Sequence, residues 1–176
     1  MMTQLSQAAA FVGLATLLGA HTLSRPEVPD AIKAPSTEAV VLLARASGVQ
    51  IYACRDSPDG RPRWVLEAPE AQLRNAAGEV IGRHYAGPTW KHQDGSEVSG
   101  KAAAQIDSPD ASSIPWLLVT ATGHSGNGIL ARVTSIQRIH TRGGQPPAAL
   151  ECNSAAFNIQ LRSPYTADYY FYAPAR

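Results

Sequence analysis

The chain has 176 residues, with 15 Lys and Arg against 14 Asp and Glu and a hydrophobic share of 44%. Both signs of charge are dispersed, which excludes nucleic acid or an anionic membrane as the main partner, since both are met by a basic stripe. A chain of about 150 residues, the length left once a leader is removed, buries about 68–70% of its unfolded surface and needs no metal to fold.

Residues 8–20 are apolar, uncharged and end in small side chains. That run is shorter than the roughly 20 apolar residues of a spanning helix, so residues 1–20 read as a secretory signal peptide. The mature protein is then expected to be exported, periplasmic or extracellular, with no integral membrane segment. Residues 21–36 carry Pro26, Pro29 and Pro35 without apolar periodicity and read as a Pro-rich linker or surface arm. Residues 37–176 read as a single β domain.

Short apolar runs punctuated by Gly, Pro, Asn and Asp follow, the pattern of an all-β fold. Residues 39–44 and 49–54 flank Ser47-Gly48, which reads as a hairpin turn. Val49, Ile51 and Ala53 then share one face, with Gln50, Tyr52 and Cys54 on the other. Asp59-Gly60 turns the chain into a strand over 63–67, and residues 68–74 are predicted to hold one or two helical turns. Ala77-Gly78 precedes a strand over 79–85, and 96–106 is a further strand. Residues 115–122 are nearly continuous apolar and predict a strand covered on both faces. Asn127-Gly128 is read as a turn into a strand over 129–140. The last strand, 168–172, is aromatic on both faces, Tyr170 and Tyr172 on one and Tyr169 and Phe171 on the other. Roughly eight strands, short connections and little helix predict a single-domain antiparallel β-barrel or β-sandwich. Cys54 and Cys152 form an even pair, which an oxidising compartment would join as a disulfide; two separate buried thiols are the alternative.

The densest chemistry lies in residues 84–96, where His84, Tyr85, Trp90, His92 and Asp94 gather around Gly87-Pro88 and Asp94-Gly95. Loops on a rigid scaffold carry binding residues. With Trp116, this segment is the candidate ligand-binding site for a small molecule or glycan, because Tyr and Trp offer an apolar face and a polar edge. His84, His92 and Asp94 are also the candidate metal ligands, with the nitrogen and oxygen donors that Zn or Cu takes. For His84 and His92 the competing reading is a structural imidazole bonded to loop backbone. His140 suits a metal less, because on an extended strand it shares a face with Arg138, Thr134 and Arg132.

Gly123-His124-Ser125-Gly126-Asn127 approaches the nucleophile elbow G-x-S-x-G, but Asn127 takes the last Gly position and a strand, not a helix, is predicted to follow. No pair of carboxylates suggests acid–base work, and the sequence carries no recognisable catalytic motif. Three readings result. A small-molecule or carbohydrate binding module using residues 84–96 comes first. A metal-binding protein or small metalloenzyme comes second, and a structural or interaction domain of the cell envelope third.

The order of Gly48-Val49-Gln50-Ile51-Tyr52-Ala53-Cys54, Ala68-Pro69-Glu70-Ala71-Gln72-Leu73 and the block 84–100 resembles the family catalogued as domain of unknown function 3455. The resemblance continues through residues 114–118, 136–144 and 164–172 and covers about residues 38–172. It implies an exported single-domain protein and brings no activity or catalytic residue with it. A dinucleotide fold is not supported, since there is no Gly-rich strand-to-helix fingerprint.

Overall fold

The computed structural model describes residues 23–175, so residues 1–20, read from the sequence as a signal peptide, lie outside the described residues. Eight strands follow in chain order: β1 (Glu38–Asp56), β2 (Pro62–Arg74), β3 (Val80–Tyr85), β4 (Thr89–His92), β5 (Glu97–Ile106), β6 (Trp116–Ser125), β7 (Ser135–Gly143) and β8 (Gln160–Pro174). Each pairs antiparallel with its sequence neighbour, and β8 pairs with β1, which closes the sheet into a barrel. Of the two architectures left open by the sequence, the closed barrel is the one adopted.

The up-and-down order sorts the connections between two ends. Residues 57–61, 86–88, 107–115 and 144–159 lie at one end, called here the upper end; 75–79, 93–96, 126–134 and both chain ends lie at the other. The interior is built from Ala44, Ala46, Ala71, Leu73, Ile81, Trp90, Val98, Val119, Ile136, Ala167, Tyr169 and Phe171, with Ile114 from the upper end and Leu130 and Val133 from the lower.

Four local expectations are corrected. Ser47-Gly48 is no hairpin turn: β1 runs through it as one strand of 19 residues. Gly48 is needed for close approach instead, since a Cβ there would stand 2.1 Å from the Glu70 carbonyl oxygen. Residues 68–74 are not helical but continue β2, because ladder hydrogen bonds to β1 override a weak local preference. Pro69 fits there because the β2–β3 ladder begins only at Ala71, leaving the preceding half of β2 with one free edge, where Pro is tolerated. Residues 129–134 form no strand; they fold inward as a loop that places Leu130 and Val133 in the core. Nor is β6 covered on both faces, since Thr120 and Thr122 are exposed.

The Pro-rich segment lies along the outer wall, as expected of an arm. Its single 3-10 turn, Asp30–Ile32, packs against β5 and β6, and the Ile32 carbonyl accepts from Gln137 Nε2 at 2.6 Å. Arg25 stacks on the Tyr172 ring at 5.0 Å. The two aromatic faces of β8 are thereby explained: Tyr169 and Phe171 fill the interior, and Tyr172 is covered from outside.

At the upper end Cys54 and Cys152 are joined as a disulfide, with Cα atoms 5.4 Å apart across a sequence separation of 98. The bridge ties the long connection 144–159 to the end of β1. Replacing both cysteines by Ser is expected to cost ~2–4 kcal/mol of stability, seen as a fall in the urea midpoint. An unchanged midpoint would show that the bridge does not restrain this end.

Candidate functional site

Strands β3 and β4 are short, so the hairpin they form reaches only part of the way along the wall between β2 and β5. Its tip, Gly87-Pro88, faces the unpaired edge of β2. A cavity of about 250 Å³ opens there, and Gln50, Leu66, Pro69, His84, Trp90 and Arg138 are among its lining residues. Leu66, Pro69, Pro88, Ala102, Leu117 and Val119 give it a mostly apolar mouth.

The polar groups sit deeper. Gln50 is 1% exposed, and neither atom of its amide meets a hydrogen-bond partner. Tyr169, also 1% exposed, has an unpartnered hydroxyl. Opposite Tyr169 in the β7–β8 register stands Arg138, whose Nε and Nη2 donate to the Pro115 carbonyl at 3.2 and 2.8 Å. Trp90 Nε1 on the same wall is also unpartnered. A buried polar group without a partner costs about 1–3 kcal/mol, so an interior that gathers three such side chains on a cavity wall is unusual.

His84 is brought into this wall, facing Trp90 across the β3–β4 ladder. The rings stack with centroids 4.3 Å apart and planes 5° from parallel, and Tyr169 meets both edge-on. The Thr89 carbonyl lies 2.9 Å from His84 Nδ1 and can only accept, so Nδ1 carries the proton. Burial, assisted by the nearby Arg138 charge, drives the imidazole pKa down to about 3 against the opposing effect of the Thr89 bond. His84 is therefore neutral at physiological pH.

The other sequence candidates stand elsewhere. Tyr85 points outward and donates to Glu97 Oε2 at 2.6 Å. His92 and Asp94 pair with each other at 3.0 Å at the lower end. Asp94 there accepts from Ser96 N–H at 2.8 Å, Ser96 Oγ at 2.6 Å and Ile129 N–H at 2.8 Å, fastening the inward loop 126–134. Burial alone would raise the Asp94 pKa, but these bonds outweigh it and hold the carboxyl well below the ordinary range. A Cβ on Gly128 would strike that carboxylate at 2.3 Å. Trp116 meets the His140 ring edge-on at 5.4 Å on the outer surface, outside the cavity.

The metal set His84, His92 and Asp94 thus does not converge, since His84 faces the interior near the upper end and the other two close the lower end. Among the described residues no group of three or more His, Cys, Asp or Glu is placed to hold a metal ion. His140 also differs from expectation. A bulge in the β7–β8 ladder and a φ of 50° turn it away from Arg138, and its Nδ1 lies 2.9 Å from Asp168 Oδ2. The elbow-like segment 123–127 has no helix after it, because an irregular loop follows β6.

Sequence reasoning placed His84 and Trp90 among the candidates but missed Gln50, Arg138 and Tyr169 as one cluster. Alternation offered a partial signal, since a Gln and an Arg fall among apolar neighbours in strands with otherwise buried faces.

Two expected outcomes follow from the geometry. Trp90→Ala should cost ~3–5 kcal/mol, because the indole is core; a melting temperature near wild type would place it outside. For His84 the folded pKa lies below the unfolded value, so the unfolded chain binds the extra proton and stability falls as pH drops from about 6.5 toward about 3. The slope approaches ~1.4 kcal/mol per pH unit for one proton. Denaturation series of wild type and His84→Phe at pH 4.5–7 should differ by that slope; parallel curves would mean that His84 titrates normally.

The family described as Protein of unknown function (DUF3455) matches residues 35–173, and the chain belongs to it. No curated protein and no solved structure matches the chain.

Proposed function

We propose that this DUF3455 domain is an exported binding protein that takes one small molecule into the side opening of its barrel, beneath the β3–β4 hairpin tip. The observation that carries this is Gln50, fully buried on the cavity wall with both amide atoms unpaired. A folded chain gains nothing from desolvating that amide alone, whereas a bound molecule supplies the missing partners. Eight strands enclose an interior that side chains just fill or that holds one small ligand. Here the unpaired stretch of β2, at Leu66 to Pro69, and the hairpin tip Gly87-Pro88 bound the opening.

The volume of about 250 Å³ is below the ~300–1,000 Å³ of drug-sized sites, which favours a compact ligand. A glycan is disfavoured, because sugar stacking needs an exposed aromatic face and Trp90 is 2% exposed with its ring against His84. Export is supported by the apolar run 8–20 and by the Cys54–Cys152 bridge.

Ala102 is exposed at the rim, so Ala102→Trp blocks the mouth without touching the core. Amide and indole NMR signals of Gln50, His84 and Trp90 are expected to shift saturably with a panel of compact neutral apolar compounds in wild type and not in Ala102→Trp. Shifts absent from both proteins, or equal in both, would overturn the reading.

A further inference from the structure

Resting on that reading of the cavity, we infer that its ligand is a monocarboxylate with a compact apolar body, whose carboxylate is received by Arg138 with Gln50 and Tyr169 as neutral donors. The positive charge is the first argument. Among the described residues no carboxylate lies within ion-pair distance of Arg138. The one acid on the cavity lining, Glu67, is already engaged by Arg55 and by Gln160 Nε2. Arg138 is half-buried, so its guanidinium is partly withdrawn from water with no counter-ion, and an anionic ligand would offset that loss.

Donor geometry is the second argument. A guanidinium has five N–H donors in a planar fork, and Pro115 takes two from one side. The remaining edge suits the two oxygens of a carboxylate, the bidentate pairing at which Arg excels. Gln50 Nε2, Trp90 Nε1 and the Tyr169 hydroxyl, all buried and unpartnered, are further donors among the residues of the same wall. Burial holds the Tyr169 phenol protonated, so it donates.

Charge count is the third. His84 stays neutral, which leaves Arg138 as the only cation on the cavity lining. One cation matches one negative charge and falls short of a phosphate dianion. The apolar mouth at Leu66, Pro69 and Leu117 receives the rest of the molecule.

The test is calorimetric titration at pH 7 with hexanoate, octanoate, benzoate and phenylacetate, each set against its alcohol or amide, and with phenyl phosphate. At least one carboxylate is expected to bind saturably and roughly 10- to 100-fold more tightly than its neutral counterpart, the worth of a charge-assisted hydrogen bond. Arg138→Gln should abolish that preference, so that carboxylate and neutral counterpart bind alike. Should Arg138→Gln misfold through loss of the Pro115 contact, Gln50→Leu serves instead and should weaken the carboxylate more than the alcohol. Carboxylate and neutral partner binding alike, both blocked by Ala102→Trp, would overturn the anion inference and leave the cavity reading standing. Stronger binding of phenyl phosphate, or no binding of any carboxylate, would overturn it too, while the neutral panel decides the cavity reading by itself.

Discussion

The β1 strand pairs with β8 from Glu38 to Ala53 and with β2 from Arg45 to Asp56, and the closure this makes is the constraint on which the rest depends. A strand shared by both flanks of an eight-stranded ring has to curve tightly, and Gly48 lets the β2 backbone come against it where any side chain would collide. The interior residues on the same side, Ala44, Ala46, Ala71 and Ala167, are small. Large side chains, Trp90, Tyr169 and Phe171, fill the facing part of the barrel. The cavity opens against Trp90 and Tyr169, where the short β3–β4 hairpin leaves the wall lowest.

The two ends of the barrel are closed by different means. Below, Leu130 and Val133 enter the core on a loop held by Asp94 and Ser96, with Ser96 Oγ accepting from Leu130 N–H at 3.1 Å. Above, Ile114 enters the core while Thr141 Oγ1 donates to its carbonyl at 2.6 Å, and Tyr52 donates to the Gly144 carbonyl at 2.8 Å. With both ends plugged, the cavity lies at the flank beside the short hairpin, with unpartnered polar side chains on its wall.

Strand content and the disulfide were legible in the sequence because each has a local signature: alternation and an even cysteine pair. Ser47-Gly48 and residues 68–74 misled because local signals report what a segment prefers alone. A Gly serves a turn and a close backbone approach equally well, and a run rich in Ala, Glu and Gln yields to a ladder already set by β1. The candidate site was half legible. His84 and Trp90 stand out by residue type, but Asp94 and His92, equally conspicuous, fasten the opposite end. Gln50 and Arg138 are far apart in sequence and ordinary in kind. Only the closed register makes them neighbours, and only burial without partners marks them.

The up-and-down order has one more consequence. Glu38 pairs with Pro174, and Ala175 N–H reaches the Thr37 carbonyl at 3.0 Å, so the first and last strands finish side by side at the lower end. A short peptide joining them would leave every rung of the ring intact, and a new start could be cut into the exposed turn at 57–61. The barrel is in this sense a circular object with an arbitrary beginning. Cargo fused after residue 175 departs from the pole opposite the hairpin tip, so a tethered or displayed copy would present its opening away from its support.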